Sequence, residues 1–182
     1  MKVLATKKTL RDTDAFQTAR QGGNSLGRVL YGSGKITLRL MYLQSFEVIF
    51  DVYYKPGLVE RFFSKDHGRL SGNSQKVCMI VEGTRCSPSL YESPLPLYEM
   101  DLDPDDCQES TFPKEKIVAQ AKRIAMRIVR RHSGRIVTSM ELSSYRPFYR
   151  PYYVAFYGEV EMGKKVRYIA IEADDYHTDS SL

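Results

Sequence analysis

The chain has 182 residues and a formal net charge of +5, with 42% hydrophobic and 27% charged residues. A chain of this length buries about 70% of its unfolded surface, and this balance of apolar and charged residues excludes wholesale disorder. No run reaches the roughly 20 apolar residues of a membrane-spanning helix, and Met1 to Lys8 lack the apolar stretch of a secretory signal, so a soluble, cytoplasmic protein with no membrane association is expected.

Thirteen Tyr and eight Phe with no Trp favour a sheet-rich core whose rings carry polar tips. The charge is unevenly placed. Residues 1–40 hold eight Lys/Arg against two acids, residues 113–135 hold eight against one, and residues 99–109 hold six acids and no base. A basic surface attracts nucleic acid or an acidic membrane, but here the favoured reading is that the acidic linker neutralises the basic helix within the molecule or that these charges are merely solvated. Cys78, Cys86 and Cys107 form no CxxC pair and no metal-like Cys/His spacing, which points to reduced, structural thiols.

The first predicted element is a helix starting at Asp12 or Thr13, with Ala15, Phe16 and Ala19 on one side and an interruption at Gly22-Gly23-Asn24. Residues 35–54 read as strand, because Ile36, Leu38 and Leu40 alternate with Thr37 and Arg39, and Gln44-Ser45 is expected to bend or break it. Pro56-Gly57 marks a turn, Leu58, Val59, Phe62 and Phe63 fit a short helix, and residues 64–74 fit a hairpin or loop. A short strand over 77–81 leads into an irregular segment punctuated by Pro88, Pro94 and Pro96, and then into the acidic linker.

The clearest element is a helix over 113–132. Pro113 suits the first helical position and Gly134 the position just past the end, while Ile117, Ala121, Ile124, Ala125 and Ile128 make one apolar stripe. Lys and Arg crowd its last turn, where they complement the negative end of the helix dipole. Residues 135–142, 152–157 and 166–173 then read as three strands, with 158–164 as a hairpin connection and 174–182 as a polar, frayed tail.

Two stretches of the chain are alike. Tyr149-Arg150-Pro151-Tyr152-Tyr153-Val154-Ala155-Phe156-Tyr157 places hydrophobics where Tyr42-Leu43-Gln44-Ser45-Phe46-Glu47-Val48-Ile49-Phe50 does, 107 positions earlier. Each is followed by a second apolar run ending in a similar triplet, Val81-Glu82-Gly83 and Ile171-Glu172-Ala173, 90 positions apart. The pattern predicts an α+β protein of two related units, each a helix plus an antiparallel β-meander, the first with about 17 extra residues between its second and third strands. The expected division is an N-terminal unit over 1–97, an acidic linker over 98–112 and a C-terminal unit over 113–182.

Local signatures for chemistry fail on their requirements. Gly32-Ser33-Gly34-Lys35-Ile36-Thr37 suggests a phosphate loop, but such a loop needs Ser or Thr directly after Lys to reach the metal. Asp101, Asp103 and Asp105 alternate like a calcium loop, but Asp106 and Phe112 stand where the pattern needs Gly and Glu. His67, His132 and His177 form no nucleophile–base or metal pair. No enzymatic activity, cofactor or metal is expected.

Two surfaces remain as candidates. In the segment from Tyr145 to Tyr153, Tyr145 and Tyr149 alternate with Arg146 and Arg150; core or interface packing is the favoured reading, and the alternative is that the rings stack on bases while the guanidiniums hold phosphates. Pro147 and Pro151 favour an edge strand or its entry there rather than a central ladder. On the helix, Arg123, Arg127 and Arg130 lie opposite the apolar stripe, where they could track a phosphate backbone or form a solvated face.

The Lys114-to-Arg131 helix, the strand Tyr152-Tyr153-Val154 and the final strand ending in Glu172-Ala173 resemble PepSY-like modules, a family with a helix followed by a curved antiparallel meander. In that family the last strand often precedes a Gly-containing turn, where this chain has Asp174-Asp175. The segment from Arg150 to Gly158 is also similar to uncharacterised proteins of Gram-positive bacteria, which implies a bacterial origin. The resemblance implies a binding or regulatory role. The expected function is therefore a non-catalytic cytoplasmic interaction module with a protein partner or a second copy; the alternative is a nucleic-acid-binding protein.

Overall fold

The computed structural model describes residues 1–21, 36–55, 74–91, 94–158 and 167–176. The glycine-rich stretch from 22 to 35, the turn and short helix expected between 56 and 63, the loop that follows, His67, His177 and the connection at 159–166 lie outside the described residues. The fold is mixed α+β. Strands β1 (Lys2–Ala5), β2 (Ile36–Tyr54), β3 (Ser74–Glu82), β4 (Ser87–Tyr91), β5 (Tyr98–Asp101), β6 (Cys107–Gln108), β7 (Val137–Tyr157) and β8 (Arg167–Glu172) accompany helices α1 (Asp12–Gln21) and α2 (Lys114–His132). The strands form a large, mostly antiparallel sheet ordered β4-β3-β2-β7-β1-β5, with β6 against β2 and β8 against β7.

The chain divides into two compact units. One comprises Met1–Gln44, Pro96–Ser110 and Phe148–Leu182, and the other Ser45–Leu95 and Thr111–Pro147. The units are thus interleaved along the chain. β2 and β7 each contribute one half to each unit, and the boundaries fall at Gln44/Ser45 and Pro147/Phe148.

In the unit containing α2, two periodicities meet. Alternate β2 residues Phe46, Val48, Phe50, Val52 and Tyr54 and alternate β3 residues Val77, Met79 and Val81 are buried on one sheet face. Ile117, Ala121, Ala125 and Val129 of α2, spaced four apart, cover that face. The expected apolar stripe is thus present, with Val129 in the core while Ile124 and Ile128 are only partly buried against it. The helix starts after Pro113 and ends at Ser133, whose N–H donates to the Val129 carbonyl at 2.9 Å; Gly134 then takes φ +59°, the left-handed conformation glycine adopts most easily.

In the other unit, β1 pairs antiparallel with β5, and parallel with β7 at Ala5↔Tyr149. β7 and β8 form an antiparallel hairpin from Tyr152↔Glu172 to Tyr157↔Arg167. One apolar cluster gathers Ala5, Leu102 and Tyr149, and a second gathers Ala15 of α1, Tyr153 and Ala173.

Several local expectations are corrected. β2 runs through Gln44-Ser45 without a break: Gln44 Oε1 accepts the Ser110 N–H at 2.9 Å, and Ser45 keeps its ladder place opposite Glu82. β7 is one strand of 21 residues where two were expected, and it includes both prolines although it stands between β2 and β1 in the sheet order rather than at an edge. Pro151 lacks an N–H but sits just before the first β7–β8 pair, where only its carbonyl is needed, accepting the Ala173 N–H at 3.0 Å. Pro88 lies inside β4 rather than in irregular chain. The acidic stretch carries β5, β6 and a 3-10 turn over Pro104–Asp106. Its acids serve that local structure: Asp101 pairs with the N-terminal ammonium at 2.9 Å, Asp106 with Arg39 at 3.0 Å, and Asp103 accepts the Asp105 N–H at 3.0 Å. Asp174, expected at the start of a frayed tail, is buried.

Candidate binding surface

Arg150 has 0% side-chain exposure, and its guanidinium is spent inside the protein. Nε donates to Asp174 Oδ2 at 2.9 Å and Nη2 to Asp174 Oδ1 at 2.6 Å, a bidentate pair. Nη2 also donates to the Tyr176 carbonyl, and Nη1 lies 3.6 Å from Glu172 Oε1. Thr6 Oγ1 donates to the same Asp174 carboxylate at 2.7 Å. Burial is the largest single influence and by itself lowers the arginine's pKa, but the hydrogen bonds to Asp174 together with the nearby charges of Asp174 and Glu172 and the Tyr152 phenol outweigh it and hold the group above its ordinary range. Arg150 is therefore a permanent charge that fastens Asp174, just beyond the end of β8, to β7.

Arg146, four residues earlier, makes a second pair. Its Nε and Nη2 donate to Glu47 Oε2 at 3.0 and 2.7 Å, and Glu47 Oε1 accepts the Leu95 N–H at 3.1 Å. Glu47 is 2% exposed and Arg146 is 40% exposed. Tyr145 stacks on Phe46 with ring centroids 5.5 Å apart, and Lys114 Nζ lies 4.9 Å from its ring centroid. Tyr149 is buried with Ala5 and Leu102. In this segment Tyr149 and Arg150 are buried, while Tyr145 and Arg146 are engaged in ring packing and ion pairing with Arg146 still 40% exposed, an arrangement in line with the packing reading of the segment. The unit boundary also divides it, leaving Tyr145 and Arg146 on one side and Tyr149 and Arg150 on the other.

A third cluster was not legible as such. Tyr153 donates its phenolic hydrogen to Asp12, and Lys8 Nζ donates to the Tyr153 oxygen at 2.9 Å and to Asp12 at 3.1 Å. Burial, and then the bond to Asp12, raises the Tyr153 pKa, so the phenol is held neutral and is no base near pH 7. The partners Glu47, Asp174, Thr6 and Asp12 escaped sequence reasoning. Only Glu47 carried a signal, as a lone acid within the apolar run from Phe46 to Phe50.

The helix residues behave differently. Arg123, Arg127 and Arg130 are exposed, as are Lys122 and Arg131, and none of the five has a hydrogen-bond or ion-pair partner among the described residues. Sequence places one acid on α2, Glu115 in its first turn, and none from Lys116 to its end. At 100° per residue Lys116, Arg123, Arg127 and Arg130 fall within an arc of about 60°, opposite the buried stripe, over a length of about 21 Å. Lys116 Nζ also lies 4.3 Å from the Phe112 ring centroid.

Among the described residues, no group of three or more His, Cys, Asp or Glu could hold a metal ion, and no helix is long and apolar enough to cross a membrane. Cys78, Cys86 and Cys107 are free thiols whose pKa values burial raises, which disfavours the nucleophilic thiolate. Comparison with known proteins finds no matching family model, no matching curated protein and no matching solved structure.

Proposed function

We propose that the protein is a non-catalytic cytoplasmic interaction module, regulatory in character, whose contact surface is the solvent face of α2. One observation carries this reading: the Arg146 and Arg150 guanidiniums on β7 are paired with internal carboxylates, whereas Arg123, Arg127 and Arg130 are exposed without such a partner among the described residues. The test is the triple substitution Arg123→Glu/Arg127→Glu/Arg130→Glu in the full chain. Surface changes of this kind shift stability by about 0.5 kcal/mol or less each, so melting should stay near that of the parent. Hydrogen-exchange protection of α2 by a bound partner should be lost in the variant. Partner-induced protection that maps elsewhere and survives the substitution would refute the reading.

The same proposal includes an internal duplication of the PepSY-like kind. The offsets of 107 and 90 carry Ser45 onto Tyr152 and Glu82 onto Glu172, and both are first ladder pairs, Ser45↔Glu82 of β2–β3 and Tyr152↔Glu172 of β7–β8. The helices correspond too: Ala15 and Ala19 are the buried pair of α1, and Ala121 and Ala125 lie four apart in the buried stripe of α2. α1 contacts β8 and α2 contacts β3, so each unit joins the helix of one repeat to the hairpin of the other. The duplication is supported by this reciprocal exchange, and the interleaved units follow from it.

A further inference from the structure

We infer that the basic face of α2 binds the sugar–phosphate backbone of duplex nucleic acid, without reading sequence. The inference rests on the proposal that this face is the contact surface, and names its partner. Folding does not require the pattern. Arg123 and Arg127 are four apart, Arg127 and Arg130 three apart, and Arg127 and Arg131 four apart, so three like-charge neighbours repel along one surface. Each costs roughly 0.2–0.5 kcal/mol in an isolated helix. The helix dipole accounts for cations in the last turn, Arg130 and Arg131. It does not account for Arg123 and Arg127, and no acid beyond Glu115 offsets them within α2. A merely solvated face would mix both signs.

The chemistry of the face selects among polyanions. Arg123, Arg127, Arg130 and Arg131 carry planar guanidiniums that bind phosphate oxygens in bidentate fashion, which Lys cannot do. The apolar side of α2 is spent on the core through Ile117, Ala121, Ala125 and Val129, so the helix has no buried wedge to offer a lipid bilayer. Single-strand binders stack bases on aromatic rings, and Tyr149, Tyr152 and Tyr153 are buried while Tyr145 lies against Phe46. What remains is a rigid row of cations about 21 Å long, fitted to a regularly spaced backbone.

The experiment uses the full-length protein and fluorescence anisotropy with labelled probes of matched charge, namely a 20-base-pair DNA duplex, a 20-base-pair RNA duplex, a 40-nucleotide single strand and polyglutamate, and co-sedimentation with vesicles containing anionic lipid. Duplex binding is expected, with affinity falling about 100-fold between 50 and 200 mM salt if roughly four phosphates are neutralised. It should be insensitive to duplex sequence, exceed that for polyglutamate and the single strand, and be lost in Arg123→Glu/Arg127→Glu/Arg130→Glu. The milder Arg127→Gln should reduce the salt dependence by the equivalent of about one phosphate, which separates a contact from general misfolding. Binding to polyglutamate or vesicles that exceeds duplex binding, and is lost in the triple variant, overturns the nucleic-acid assignment but leaves α2 as the contact surface. Duplex binding that survives the triple variant overturns both. No binding to any probe overturns this inference alone, because an electrically neutral or structured protein partner would still be detected by protection of α2.

Discussion

The arginines of β7 and those of α2 read alike in the sequence and meet opposite fates. Arg150 is sealed against Asp174 and Arg146 reaches a buried Glu47, whereas Arg123, Arg127 and Arg130 meet only solvent among the described residues. The difference lies in what each charge costs to place. A guanidinium removed from water is tolerated only where a carboxylate and further hydrogen bonds replace its hydration, so a buried arginine is evidence of an internal partner. An exposed one keeps its hydration and is free to exchange it for a ligand's oxygens. Aromatic neighbours do not mark a binding surface unless the rings are open.

Breaking the Arg150–Asp174 pair should sharpen that contrast most. Asp174→Ala leaves the buried guanidinium with only Glu172 at 3.6 Å and the Tyr176 carbonyl, without its bidentate partner, and should cost about 3–5 kcal/mol, read as a lowered denaturant midpoint. Replacing both partners, Arg150→Met with Asp174→Leu, should cost less than the single change, because no unpaired charge is left. A double variant at least as damaged as the sum of the singles would show that the pair is not the unit of stability.

Next comes Glu47. Glu47→Ala frees Arg146, which is already half in water, and strands the Leu95 N–H, so a loss of about 1–3 kcal/mol is expected. Arg146→Ala instead leaves a buried carboxylate and should be the worse of the two. Equal costs, measured by chemical denaturation, would mean that Glu47 is hydrated after all.

The smallest effect belongs to the Lys8–Asp12–Tyr153 cluster. Tyr153→Phe should cost roughly 1 kcal/mol, the net value of one hydrogen bond. The sign with pH follows from the shifts. Asp12 is held below its ordinary 3.8, chiefly by the Tyr153 hydrogen bond, so its contribution is complete above that value and is lost as pH falls through the folded pKa. Tyr153 is raised above 10.0, chiefly by burial, so its contribution is complete below that value and is lost as pH rises through the folded pKa. The stability difference between parent and Tyr153→Phe should therefore be flat from about pH 5 to 9 and shrink at both extremes. A difference that stayed unchanged through both extremes of pH would contradict the hydrogen-bond geometry.

Periodicity was legible because it is local. Alternation in β2 and the four-residue stripe of α2 follow from backbone geometry. Continuity was not legible. Gln44-Ser45 and Pro147 to Pro151 look like breaks until Ser110 and Ala173 supply their partners, and those lie 66 and 22 residues away.

By itself the sequence determined the helix–strand grammar, the basic face of α2 and the absence of any local catalytic signature. Only the tertiary structure decided which charges are closed. Arg150 meets Asp174 across 24 residues, Arg146 meets Glu47 across 99, and Thr6 meets Asp174 across 168. A charge's partner is fixed by how the strands cross in space, and the energy of burying it depends on that partner rather than on its neighbours in the chain.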